Sequence, residues 1–224
     1  MDLAALVLSL ELAALTTAVL LVAGLPVAWW LVASRWRGKV LVEAVVALPL
    51  VLPPTVLGFY LLAAMGPATP AGRAFESLFG HPFPFSFEGL LVASVLYSAP
   101  FAIQPFAAAL AGVDPRLLEA AHTLGASRAS TFLRVALPLA WPGVVAGSVL
   151  AFAHTLGEFG VVLMVGGNIP GRTRTLSVAI FDHVEALEYA AAHRTAALLL
   201  AVSFAVLLAV HALRRRPGTG WTPR

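Results

Sequence analysis

Five apolar runs, each about 20 residues long, dominate the sequence and limit what the chain can fold into. A helical run of this length matches the hydrocarbon core of a bilayer. The composition agrees, because 60% of the residues are hydrophobic and 11% are charged, against about 25% charged residues in an average soluble domain. A soluble enzyme, a disordered chain and a disulfide-held secreted domain are not expected, and the chain has no cysteine. The sequence therefore predicts an all-helical membrane protein.

The predicted fold is one membrane domain over residues 1–224, with a core at about residues 9–213. The N-terminus lacks a basic segment ahead of its apolar run, so this run is expected to remain as a span and not to be cleaved as a signal peptide. The first span begins nearer Leu3 if its helix is tilted. The five predicted spans are residues 12–33, 40–65, 90–111, 140–165 and 191–213.

Basic residues set the expected orientation of these spans. Ten of the 14 lysine and arginine residues fall in three segments, which follow the first, third and fifth spans. Because basic loops stay in the cytoplasm, we expect the N-terminus outside and the C-terminus inside. These clusters lie at the ends of apolar runs and not on one water-facing patch, so nucleic-acid binding is not expected. The ten residues are Arg35, Arg37, Lys39, Arg116, Arg128, Arg134, Arg214, Arg215, Arg216 and Arg224.

The predicted cytoplasmic loop between the third and fourth spans, residues 112–138, has the pattern of two short helices. Asp114 followed by proline is a typical helix start, and Gly125 is placed to end that helix in a left-handed conformation. A second short helix is predicted over residues 127–136, stopped by Pro138. The loop carries a small apolar face but is too short to span a membrane, so we expect it to dock on another protein.

Within this loop an acidic residue, two alanines, a glycine and a Leu-Pro pair are spaced as Glu119, Ala120, Ala121, Gly125, Leu137 and Pro138. This spacing resembles the EAA loop of ABC-transporter permeases, with Val135 where the family has isoleucine. In that family the loop is a coupling helix, which lies in a groove of a cytoplasmic ATP-binding subunit. Asp114, as the start of the loop helix, and Val135 complete the set of expected coupling residues. It implies no cofactor, metal or catalytic residue in this chain. ATP and Mg²⁺ would bind the partner ATPase, because the chain has no P-loop.

Three further stretches carry a narrower resemblance. Residues 48–58 read LPLVLPPTVLG, residues 150–160 read LAFAHTLGEFG, and residues 167–175 read GNIPGRTRT. They resemble the molybdate permeases and their sulfate-transporting relatives, and depart from them at His154 and Arg172. The resemblance implies a type-I ABC importer permease for molybdate or tungstate in the bacterial cytoplasmic (inner) membrane. It implies a homodimer with two ATPase subunits and a periplasmic oxyanion-binding protein. A permease for sulfate, thiosulfate or another oxyanion stays open.

Helix-breaking and polar residues inside the spans mark the candidate path. Breaks at membrane depth face protein or a water-filled cavity, so the second span either lines the path or is simply kinked. His154 and Glu158 are four residues apart and are expected on one helical face, as a packing pair or as a gate. Lys and Arg are absent from the middle of the spans, so the path has no fixed cation to bind a dianion tightly. We therefore expect a separate binding protein to supply the affinity for the substrate. The candidates are Pro49, Pro53, Pro54, Thr55, Gly58, His154, Gly157, Glu158 and Gly160.

On the expected outer side, polar loop residues are candidates for docking a binding protein, and solvated loop charge is the alternative for each. A short amphipathic helix is expected just before the fifth span. An intramembrane enzyme is disfavoured, because the sequence has neither an H-E-x-x-H nor an intact G-x-S-x-G motif. A stand-alone channel would not explain the docking loop. The docking candidates are Arg73, Asn168, Arg172 and Arg174.

Overall fold

The computed structural model describes residues 2–214, and the side chains of residues 2–208, and this part of the chain is helical without a β-strand. Arg215, Arg216 and Arg224 of the predicted basic C-terminal cluster lie outside the described residues. The helices are α1 (Leu3–Val19), α2 (Leu25–Ala33), α3 (Lys39–Ala47), α4 (Pro54–Met65), α5 (Pro70–Phe79), α6 (Phe87–Ala111), α7 (Pro115–Thr123), α8 (Arg128–Thr131), α9 (Leu137–Gly157), α10 (Gly160–Gly166), α11 (Leu176–Glu185) and α12 (Tyr189–Arg214).

Several of these helices join into longer apolar stretches that match a membrane in length. A fifth crossing exists if the stretch Lys39–Leu50 and α4 count as one span, although they are bent by 114°. The predicted third span lies within α6 and the predicted fifth span within α12. The four uninterrupted stretches are Leu3–Ala33, Phe87–Ala111, Arg128–Gly157 and Tyr189–Leu208.

The first span begins at Leu3, the earlier of the two predicted starts. Asp2 explains this start, because its Oδ1 accepts a hydrogen bond from the Ala5 backbone N–H at 3.0 Å and caps the helix. A π turn over Leu20–Gly24 then leads into α2. Pro26 lacks an N–H, so a regular helical hydrogen bond cannot form at that position, and the π turn keeps the two halves in one stretch.

The second span is broken in the middle, as its prolines predict. A short 3₁₀ turn over Leu48–Leu50 follows α3, and Pro53 is extended, with ψ at 137°. Pro54 then occupies the first position of α4, where a missing N–H costs nothing. The break therefore separates this segment into two half-helices.

The predicted bounds of the fourth span, residues 140–165, are wrong at both ends. The helical stretch starts at Arg128, inside the segment predicted to be a separate loop helix, and ends at Gly157. Pro138 does not stop the helix, because a π turn over Phe132–Ala136 accommodates its missing N–H. Beyond Gly157 the backbone is extended at Glu158, with ψ at 136°, and α10 starts afresh.

Small residues bring α6 and α9 close together in the centre of the bundle. A Cβ on Gly147 would lie 2.8 Å from a ring carbon of Phe106, and one on Gly143 would lie 2.3 Å from the Cβ of Ala109. Phe106 is fully buried in the largest apolar core. Such small residues let membrane helices approach closely. This contact fixes which side chains of α6 face α9.

The predicted short helix before the fifth span is confirmed as α11. Thr175 caps its start by accepting from the Val178 N–H. The Leu176 N–H donates to Ser9 Oγ of α1 at 2.8 Å, which ties α11 to the first span.

Candidate coupling loop and transport path

The loop helix α7 has well-formed caps at both ends. Asp114 Oδ1 accepts from the Arg116 N–H at 2.9 Å, as predicted for a helix start. At the other end Gly125 has φ at +82°. The Ala126 N–H donates to the Ala121 carbonyl at 3.0 Å, and the Gly125 N–H donates to the His122 carbonyl at 2.9 Å. These two bonds form a Schellman motif, which requires the left-handed residue. The loop geometry therefore depends on glycine at position 125.

The apolar face predicted for α7 divides between the bundle and the exterior. Leu118 and Phe132 pack against the main core. The centroid of the Phe132 ring lies 5.2 Å from that of Trp29 in α2. Leu117 is 47% exposed and Leu124 is 87% exposed. The inner residues anchor the loop, and the two outer leucines leave an exposed apolar surface.

The structure separates the predicted coupling residues into two groups. Glu119 and Ala120 are exposed on α7, and Ala121 is half-buried beneath them. Val135, Leu137 and Pro138 instead belong to the stretch that rises into the fourth span. The second half of the loop is thus continuous with that span, and the turn at Gly125 joins it to α7.

A cavity of about 860 Å³ lies behind α7, and the sequence did not predict it. It is bounded by the end of the first span and by the loop. Two tryptophans line it beside two arginines, one glutamate and one histidine. These residues are Trp29, Trp30, Arg35, Arg128, Glu119 and His122.

Three of the path candidates meet where the second span is broken. A Cβ on Gly160 would lie 2.6 Å from the Cβ of Pro54, and one on Gly58 would lie 2.6 Å from the Cβ of Met164. The half-helices α4 and α10 therefore pack through glycine contacts. Thr55 is exposed, Pro49 is half-buried and Pro53 is exposed. Nothing lies near a Cβ built on Gly157, so this glycine does not serve close packing within the described residues.

Glu158 is the first residue beyond the helix that carries His154, and no hydrogen bond joins the two side chains within the described residues. Glu158 instead accepts, through its carboxylate, a hydrogen bond from the Val161 N–H at 2.9 Å. Its carbonyl also accepts from Ser177 Oγ. Glu158 is 7% exposed. It therefore caps α10 and holds α11, which is a structural role.

His154 faces α6. Its Nδ1 lies 3.0 Å from Ser98 Oγ, and Ser98 Oγ lies 2.8 Å from Thr155 Oγ1. The imidazole stacks on the Phe101 ring, with the ring centroids 3.8 Å apart and an angle of 22° between the ring planes. The centroid of the Tyr97 ring lies 5.1 Å from that of the imidazole. The residue belongs to a cluster of polar and aromatic groups inside the membrane-spanning part of the chain.

A second polar feature, missed by the sequence reasoning, lies further along α6. Gln104 is exposed in the second half of α6 and borders a cavity of about 440 Å³. Lys39 and Glu43 line the same cavity, and Lys39 Nζ donates to the Leu31 carbonyl at 3.0 Å. The signal that could have found this site is the single amide in an otherwise apolar span, since polar side chains at membrane depth need a protein or water partner.

In the loop after α10, two of the docking candidates, Asn168 and Arg174, make contacts within the chain. Arg174 Nε donates to Asn168 Oδ1 at 2.5 Å, and its guanidinium lies 3.3 Å from Asp182 Oδ2. Asn168 Nδ2 also donates to Asp182 Oδ1 at 2.9 Å. Arg172 is exposed and makes no side-chain bond within the part of the chain described, whereas Arg73 donates to the Ala68 carbonyl at 3.0 Å. Arg172 is therefore the free cation of this loop.

Comparison with known proteins agrees with this architecture. Residues 20–218 match the model of the family described as "Binding-protein-dependent transport system inner membrane component". The chain belongs to this family, and it is a multi-pass inner-membrane permease with the fold of type-I ABC importers. A methionine ABC transporter solved in inward-facing conformations has the same fold, with a TM-score of 0.76 over 96% of this chain and 95% of that chain at 18% identity.

Among curated relatives, the molybdenum transport system permease protein ModB of Azotobacter vinelandii is 57% identical over 96% of this chain and 95% of its own length. The sulfate transport system permease protein CysT of Salmonella typhimurium is 35% identical over 87% of this chain and 70% of its own length.

Proposed function

We propose that this chain is the membrane-spanning subunit of an ATP-driven importer that brings molybdate across the inner membrane. The observation that carries this proposal is the 57% identity to a molybdenum permease over nearly the full length of both chains. The sulfate permease shares 35% identity over a smaller part of its length, which favours molybdate. The family match over residues 20–218 supports reading the chain as one domain.

In the proposed assembly two copies of the chain associate with two ATPase subunits and a periplasmic binding protein. The exposed α7 surface, with Glu119 and the outer leucines, is the proposed contact with an ATPase subunit. ATP and Mg²⁺ bind that partner. The continuity of the loop with the fourth span supports a direct mechanical link from ATPase to path. The path candidates at the broken second span and at His154 stay proposals within this assembly.

Arg172 is the docking residue we favour on the outer side, with Arg73 as a second candidate. The reason is that Arg174 and Asn168 are already engaged by Asp182, while Arg172 is exposed and free within the described residues. A free surface arginine can attract an acidic patch on a binding protein.

The orientation follows from the same assignment and has a direct test. We expect a cysteine at position 172 to react with a membrane-impermeant maleimide in intact spheroplasts, and a cysteine at position 129 to react only after permeabilisation. The chain has no cysteine of its own, so Arg172→Cys and Ala129→Cys each give a single label site. Both positions are exposed. Labelling of position 129 in intact spheroplasts would contradict the expected orientation, in which the N-terminus lies outside.

The substrate is tested by uptake in cells that lack their own molybdate and sulfate importers. Expression of this chain with its ATPase and binding protein should restore uptake of labelled molybdate, and excess sulfate at tenfold the molybdate concentration should compete weakly. An empty vector is the control. Restored sulfate uptake without molybdate uptake would overturn the molybdate assignment and favour the sulfate alternative.

A further inference from the structure

The hydrogen bonds around His154 form a chain in which the direction of one bond sets the direction of the next. Thr155 Oγ1 donates to the Ala151 carbonyl at 2.9 Å. Because each hydroxyl has a single proton, Ser98 donates to Thr155 whenever Thr155 donates to Ala151, and the Ser98 oxygen then accepts from His154. In this arrangement the neutral imidazole carries its proton on Nδ1, which leaves only a lone pair on Nε2.

The same atoms support one other arrangement. If the Thr155 hydroxyl turns to Ser98, the Ser98 hydroxyl can donate to Nδ1, and the imidazole proton then resides on Nε2. The proton leaves Nδ1 to water and another binds Nε2, so the ring stays neutral. This arrangement gives up the bond to the Ala151 carbonyl, which as a helical carbonyl also accepts a backbone N–H. Both tautomers of His154 are thus available at the cost of one hydrogen bond.

The Nε2 edge of His154 is its open edge. The opposite edge faces Ser98, which is fully buried, and one ring face lies on Phe101. Nε2 has no hydrogen-bond partner among the described residues, and the side chain is only partly buried. Tyr97, Phe101 and Gln104 continue along the same face of α6 to the cavity lined by Lys39 and Glu43. Because polar groups facing lipid are costly, this face borders water or protein.

We propose that Nε2 of His154 is a hydrogen-bonding contact for the transported oxyanion, with Ser98 and Thr155 as positioning residues. The proposal rests on the proposed function. In the resting arrangement Nε2 offers a lone pair, which repels an anion. In the reversed arrangement it offers an N–H, which an oxyanion oxygen accepts. A neutral donor holds a dianion weakly, and this suits a path from which the ion must leave.

The test uses the complete transporter in proteoliposomes and measures molybdate transported per ATP hydrolysed. His154→Phe keeps the ring on Phe101 but has no polar edge, so we expect the ratio to fall about tenfold. His154→Gln restores an N–H donor and should stay within about threefold of the unsubstituted protein. Ser98→Ala should lower the ratio and Ser98→Thr should restore it. His193→Phe, the same change on the exposed start of α12, is the matched control.

Two outcomes would overturn the proposal. An unchanged ratio in His154→Phe would exclude a contact with the ion, and equal losses in His154→Phe and His154→Gln would assign the residue to packing. If the transporter carries another oxyanion and not molybdate, the substrate assignment fails, but the same variants measured with that oxyanion still decide the role of His154.

Discussion

Gly125→Val should abolish most molybdate uptake while the protein still inserts into the membrane. Gly125 has φ at +82° in the Schellman motif that ends α7. A left-handed conformation costs an ordinary L-residue roughly 1–2 kcal/mol, and a β-branched side chain more, so the turn should reorganise. Because α7 presents the proposed ATPase contact, we expect uptake to fall at least about tenfold. The measurement pairs initial uptake rate with the amount of protein in isolated membranes.

Asparagine at the same position is the matched control, since it tolerates the left-handed region. Gly125→Asn should keep uptake within about twofold, consistent with a cost of a few tenths of a kcal/mol. Nothing lies near a Cβ at this position within the described residues, so strain and not a clash separates the two variants. Glu119→Lys, on the exposed face of α7, should also uncouple ATP hydrolysis from uptake. Normal uptake in Gly125→Val would argue against the coupling role of the loop.

Gly160→Val should disrupt the broken region of the bundle and lower the amount of folded transporter. A Cβ at Gly160 would lie 2.6 Å from the Cβ of Pro54, and proline cannot move aside without shifting the backbone of α4. Overpacking of this kind typically costs about 1–3 kcal/mol. We expect a lower apparent melting temperature in detergent and uptake reduced about tenfold or more.

Gly157→Ala is the control for this prediction, because it lies three residues away in open space. It should leave melting temperature and uptake unchanged. If Gly160→Val and Gly157→Ala behave alike, the packing of α4 on α10 does not limit folding or transport. A loss confined to Gly160→Val would support the half-helix contact as a structural joint of the path.

Apolar run length and local turn chemistry predicted much of this fold. The Asp114 cap, the left-handed Gly125 and the break at Pro53 each depend on a few neighbouring residues, and all three are present. Run length also predicted third and fifth spans that lie within the single helices α6 and α12. These features are local, so a single sequence contains them.

The errors arose where hydropathy could not distinguish a helix from a break. Residues 158–165 are as apolar as the span before them, yet the helix ends at Gly157 because Glu158 caps α10 instead of continuing α9. Pro138 predicts a helix stop, because the π turn that accommodates it has no sequence signature. The partners of His154 on α6 depend on how α6 and α9 pack, which no spacing within one helix reveals.

The two π turns rotate the helical segments beyond them relative to the rest of their spans. Each adds about one residue to a helix of 3.6 residues per turn, which rotates everything beyond it by about 100°. Trp29 lies beyond the turn in the first span, and Phe132 lies at the turn in the fourth. Their ring contact therefore joins two segments that are each out of phase with the rest of their spans. A helical wheel drawn through either whole span would put these two rings on the wrong sides.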